Sequence, residues 1–154
     1  MNGTLLENKS RTATTESDDV TTVAGQRGVL VTLDVTQAPP KARAAKEEET
    51  EKEKAELAAE KAAEEGTLTL QIEAKDPASG KYLPITAFAA TKKAKELEAG
   101  TTTLAFTVYP GGAETAAVGS HEVQALALPS RWRVKVTHSA GGSWHYSVGA
   151  SPLQ

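Results

Sequence analysis

The chain has 154 residues, of which 39% are hydrophobic and 5% aromatic, and a formal net charge of −3. That balance provides no long-range attraction to nucleic acid or to an anionic membrane surface. It contains no cysteine, which excludes a disulfide framework, a thiol nucleophile and thiolate metal ligation, and no run approaches the roughly 20 apolar residues of a membrane-spanning helix.

Residues 1–26 are rich in Thr, Ser and charge, with only Leu5, Leu6, Val20 and Val23 as branched aliphatics. They lack the apolar stretch of a secretory signal. The composition predicts an extended arm with one short edge strand near residues 11–15. Such an arm is either disordered or ordered against a neighbouring subunit. In the second case Leu5, Leu6 and Arg11 are its candidate contacts, and its removal leaves the rest of the chain melting cooperatively.

The stretch GVLVTLDVT (28–36) is the first firm strand: Val29, Val31, Leu33 and Val35 alternate with Leu30, Thr32, Asp34 and Thr36. The same alternation returns in TLTLQIEA (67–74) through Leu68, Leu70, Ile72 and Ala74. Asp76-Pro77-Ala78-Ser79-Gly80 reads as a turn, because Pro presets φ and Gly tolerates positive φ. A strand over 81–89 follows, irregular at Pro84, which cannot donate to the ladder.

Between the first two strands lies PPKARAAKEEETEKEKAELAAEKAAEEGT (39–67). Pro39-Pro40 stops a strand, residues 41–65 are nearly all helix formers, and Gly66 closes the run. The reading is a solvated helix about 37 Å long at 1.5 Å per residue, joining strands that a short hairpin could have joined. Leu57 is its only large apolar side chain, so no coiled-coil seam exists. Lys41 and Arg43 at one end and Glu64 and Glu65 at the other oppose the helix dipole. The segment is either a spacer or a docking strip centred on Leu57.

Residues 91–99 read as a short helix or polar loop. Further strands are expected over 101–109, facing inward through Leu104, Phe106 and Val108 and broken by Pro110-Gly111-Gly112, and over 121–128. Residues 131–138 and 143–149 read as a last hairpin. A loop of Ala140-Gly141-Gly142 would pair Val136 with Tyr146 and Val134 with Val148, which keeps both apolar sets on one face. That register separates His138 from His145 and argues against a histidine metal site. Arg131, Arg133 and Lys135 make a basic stripe, either solvated or facing an acidic partner. Trp132 and Trp144 are either core or an exposed sugar-binding platform.

Short strands punctuated by turns predict an all-β fold, an antiparallel β-sandwich or barrel of jelly-roll-like kind with an inserted solvent-exposed helix. The expected organisation is an arm over 1–26 and a sandwich over 27–154, with the insertion at 39–66. Neither a Gly-x-Ser-x-Gly elbow nor a His-Glu-x-x-His motif occurs, and no cofactor motif is present.

The segments RGVLVTLDVT (27–36), LQIEAKDPASGKYLPI (70–85), TLAFTVYPG (103–111) and LPSRWRVKVTHSAGGSWHYSVGASPL (128–153) resemble, in that order, small β-sandwich structural proteins of tailed bacteriophages. They are most like capsid (head) decoration or cement proteins. In such proteins the strands around Val35 and Leu68 are joined by a short loop, so 39–66 looks like an insertion. The resemblance implies a non-enzymatic, cofactor-free virion component on the outer capsid surface, made in the host cytoplasm. Its implied partner is the major capsid protein, and a homo-oligomer, a trimer above all, is the implied assembly. Leu5, Leu6, Arg11, Leu57, Arg131 and Arg133 are the candidate subunit or capsid contacts. A tail or neck component of the same kind of virion, or a carbohydrate-binding module with an exposed tryptophan, are the alternatives.

Overall fold

Alternation sets the architecture. In the computed structural model, which describes residues 3–87, 94, 102–110, 115–118, 121–124 and 127–154, Val29, Val31, Leu33 and Val35 are all at most 1% exposed. The described chain runs through β1 (Gly3–Arg11), β2 (Thr15–Glu16), β3 (Val20–Thr21), β4 (Gly28–Gln37), α1 (Glu51–Glu64), β5 (Leu68–Lys75) and β6 (Tyr82–Ala87). It continues through β7 (Thr102–Val108), β8 (Thr115–Val118), β9 (His121–Gln124), β10 (Arg131–His138) and β11 (Trp144–Leu153).

Two sheets result. The larger has the order β1-β11-β4-β7-β9-β8, and the smaller β2-β10-β5-β6, with β3 pairing β10 as well. Because β5 occupies one edge of β10, β2 and β3 share its other edge. The pairings are antiparallel except for β7 with β9, which run parallel. The fold is therefore a β-sandwich of two open sheets. Its core is the set of inward positions the alternation selects: Leu68, Leu70 and Ile72 from β5, Trp132, Val134 and Val136 from β10, Trp144, Tyr146 and Val148 from β11. Burying each such aliphatic side chain contributes about 1.5–3 kcal/mol relative to leaving it in water.

The β5–β6 connection is the expected turn. The Asp76 carboxylate accepts from the backbone of Ala78 (3.2 Å) and Ser79 (3.1 Å), and Gly80 takes φ of 73°. The irregularity at Pro84 is also present: Glu73 pairs with Pro84 while Ile72 pairs with Thr86, which leaves Ile85 as an extra residue on an edge strand.

The last hairpin is not one. β10 belongs to the smaller sheet and β11 to the larger, so residues 139–143 cross from one layer to the other. Both strands present their apolar sets inward, but from opposite sides of the core. Alternation reports which face of a strand is buried and not which sheet it joins, so the expected one-face register does not apply. β4 and β5 likewise lie in different sheets, so the insertion spans a layer crossing rather than a would-be hairpin.

The helix is shorter than its composition suggested. It spans 14 residues, about 21 Å at 1.5 Å per residue. Thr50 caps it: its hydroxyl accepts from the Glu53 backbone N–H (3.1 Å) and donates to the Glu53 carboxylate (3.3 Å), the Thr-x-x-Glu pattern of a capping box. Residues 41–49 instead fold back along the helix. Backbone N–H groups of Ala42 and Arg43 donate to Glu64 (2.8 Å) and Glu60 (3.3 Å). Arg43 pairs with Glu49 at 2.6 Å and donates to the Glu53 carbonyl at 3.0 Å. With the start moved to Glu51, the first turn holds Glu51 and Glu53 and the last holds Lys61, which complements the dipole. The expected opposition came from placing the start at Lys41.

The helix or loop expected over 91–99 lies outside the described residues except for Ala94, which is buried and donates its N–H to the Gly66 carbonyl at 3.0 Å. Gly111-Gly112 and residues 125–126 also lie outside them.

Candidate functional site

The N-terminal segment is where sequence reasoning diverges most from the structure. Residues 3–21 form a strap across one side of the sandwich: β1 pairs with β11 of the larger sheet, then β2 and β3 pair with β10 of the smaller. Ser17 and Val134 exchange bonds, backbone N–H of Ser17 to the Val134 carbonyl (2.9 Å) and backbone N–H of Val134 to the Ser17 hydroxyl (3.0 Å). The buried indole N–H of Trp132 donates to the Thr22 hydroxyl at 3.2 Å. Leu6 and Val20 join the core, and Leu5 packs against it.

Arg11 turns inward and is only 7% exposed. Its guanidinium lies 4.7 Å from the Tyr146 ring centroid and donates to the main-chain carbonyls of Tyr146 (2.6 Å) and Glu7 (2.5 Å). The Tyr146 hydroxyl meets His138 Nε2 at 2.8 Å. Burial holds the His138 imidazole below its ordinary range, with Arg11 pushing the same way. Burial also raises the Tyr146 phenol. Arg11 Nε and His138 Nδ1 are buried without a hydrogen-bond partner.

The outer face of the smaller sheet carries a charge lattice. In register across β10 and β5, Arg133 donates to Glu73 at 2.9 Å, and it also pairs with Glu16 at 3.2 Å. Its guanidinium stacks on Tyr82, 3.5 Å from the ring centroid. Lys75 pairs with Asp19 at 2.8 Å, and the Tyr82 hydroxyl donates to the same carboxylate. The Lys75 bond, then that of Tyr82, hold the Asp19 carboxyl below its usual range; reciprocally Asp19 raises Lys75. Beside this lattice a cleft of about 300 Å³ opens between Lys75, Asp76, Pro77 and Gly80 of the turn and Ser130 and Arg131. The opposite charges of Glu73 and Arg133, at outward positions in register, were the sequence signal for this pairing once β5 and β10 are known to be neighbours, whereas Lys75 takes its partner from the N-terminal strap.

The candidate contacts are therefore not brought together. Leu5, Leu6 and Arg11 belong to the strap, and Arg133 is spent within the lattice. Leu57, the centre of the alternative docking strip, is 6% exposed in the chain by itself. Arg131 alone is exposed, at the mouth of the cleft. The edge strand β6 adds Leu83, 57% exposed, which sequence reasoning did not single out. Trp132 and Trp144 are both 0% exposed, which removes the aromatic platform that a carbohydrate-binding reading needs. Among the described residues no helix is long and apolar enough to cross a membrane.

Fold and surface together define a two-layer β-sandwich with a strapped side and a helical insertion. No family model and no curated protein matches the sequence. Among solved structures, the chain is similar to a chain of the cowpea mosaic virus top component, naturally occurring empty particles, with a TM-score of 0.42 and 11% sequence identity. That alignment covers 92% of this chain and 55% of the other, so the chain spans little more than half of its neighbour's length.

Proposed function

We propose that this chain is a virion structural protein, a decoration protein that binds the outer shell of a tailed-phage head and ties its subunits together. The observation that carries the reading is where the resembling segments fall. RGVLVTLDVT forms β4, LQIEAKDPASGKYLPI forms β5, its turn and β6, TLAFTVYPG covers β7, and the segment from Leu128 to Leu153 forms β10 and β11. Those strands are the framework of both layers. The stretch without a counterpart, 39–66, holds α1 and interrupts neither sheet.

On this reading the strap serves the sandwich itself, so contact with the capsid comes from a preformed face rather than from an exchanged arm. Arg131 and the cleft beside it are the proposed contact, aimed at an acidic surface of the major capsid protein. A homotrimer is the assembly proposed. The test mixes purified protein with undecorated capsids and measures co-sedimentation and the thermal stability of the particles. Binding that raises particle stability and weakens in Arg131→Glu supports the proposal. Failure to bind at any salt concentration overturns it, and electron microscopy that finds the protein only at the tail or neck assigns it there instead.

A further inference from the structure

The cluster under the strap has a consequence that holds whether or not the chain decorates capsids. We propose that the strap is a proton-released latch: neutral His138 holds its middle section, residues 11–17, against the sandwich, and protonation of His138 frees that section.

The geometry sets up a conflict between cations. From β1, Arg11 brings a nearly buried guanidinium whose acceptors are main-chain carbonyls. From β11, the Tyr146 hydroxyl bonds His138 Nε2, and the rings lie 5.6 Å apart. From the strap, the Thr14 hydroxyl accepts from the His138 backbone N–H at 3.2 Å, and the Thr15 hydroxyl lies near that of Tyr146. From β5, His138 faces uncharged Leu68 in register. Among the described residues neither Arg11 nor His138 has a carboxylate within ion-pair distance. A charged imidazole would therefore add a second cation to this cluster, with N–H groups on both ring nitrogens and no acceptor at the buried, unpartnered Nδ1. Moving residues 11–17 outward relieves this conflict; β2 contributes only two paired residues, and the bonds given up are those of Arg11 to main-chain carbonyls, of Thr14 to His138 and of Ser17 with Val134.

The sign follows from burial and Arg11 holding the folded-state imidazole below its ordinary range. The stabilising contribution is complete above the unfolded-state value near 6.5 and is lost as pH falls through the folded value. The far end of the strap does not share this window. Asp19 stays ionised and paired with Lys75 there, its carboxyl held below the usual range.

Hydrogen exchange on the full chain at pH 7.5 and pH 5.0, corrected for intrinsic rates, tests the latch. Peptides covering residues 11–17 are expected to lose protection several-fold at pH 5.0 while β4 and β5 hold theirs. His138→Gln, which keeps a neutral hydrogen-bonding side chain at both pH values, is expected to abolish the difference. The same loss in that variant, or no loss in the parent chain, overturns the proposal. Should the variant not fold, the His138 ring titration followed by NMR in the parent chain decides. Strap opening that tracks it supports the latch, and opening that begins only in the carboxylate range overturns it.

Discussion

Residues 3–21 and 39–66 are the two longest polar stretches of this chain, and in the sequence both look peripheral. The structure attaches them by different means. The strap places its backbone hydrogen bonds on both sheets, leads into Thr22, which satisfies the Trp132 indole, and contributes Leu6 and Val20 to the core. The insertion closes on itself through Arg43, Glu49, Glu60 and the Thr50 cap. It meets the body through small surfaces: a Cβ on Gly142 would lie 2.9 Å from Pro39 and 3.0 Å from Ala63. Apolar content did not separate the two. The destination of each backbone N–H and C=O did.

The sharpest way to break this contrast is deletion. Removing residues 1–21 strips one edge from each sheet, so we expect the chain to lose its cooperative thermal transition in calorimetry. A truncated chain that still melts cooperatively within a few degrees of the parent would make the strap as dispensable as the insertion looks. The next largest effect belongs to Arg11. Arg11→Met keeps much of the volume but removes the donors to the Tyr146 and Glu7 carbonyls and the stack on the Tyr146 ring, which should cost about 2–3 kcal/mol in denaturant unfolding. A loss below about 0.5 kcal/mol, the range of ordinary surface substitutions, would mean the buried guanidinium is incidental.

Much of the sandwich was legible. The β4 alternation named its buried face residue by residue, and Asp76 to Gly80 specified the turn, because both are local rules. Three features were not. The partner sheet of β10 and β11 depends on long-range pairing that alternation does not encode. The helix start lay inside a run of uniform composition, where Thr50 and Glu53 were the only marks of a capping box. Arg11 reads in the sequence as a surface contact because an arginine is seldom buried without a carboxylate, and here an aromatic face and carbonyls take that role. The site candidates suffered most: polar residues in a β-protein are as often spent holding layers together as offered to a partner.

On the insertion side, Thr50→Ala should weaken the helix locally by about 1 kcal/mol, the usual worth of a cap. Circular dichroism at 222 nm would register the loss of helical signal while the global unfolding midpoint stays put. A fall in that midpoint matching the helical loss would show that insertion and sandwich unfold as one unit.

Acid separates the two regions with the smallest perturbation. The Glu49 carboxyl is held below its ordinary range by the Arg43 hydrogen bond, and Glu53 by that of Lys46. For both, the contribution is present above the unfolded carboxylate value near 4.3 and is lost as pH falls through the lower folded values. The insertion contains no histidine, so its helical signal should stay flat from pH 8 to 5 and decline only below about 4. The strap, with His138 beneath its middle and Asp19 near its end, should lose protection in two steps, one below about 6.5 as His138 protonates and one below the ordinary carboxylate range. Helicity that falls with the first step would mean that opening the strap also loosens the corner at Gly142. The two polar segments would then be coupled through the His138 end of β10 instead of being attached independently.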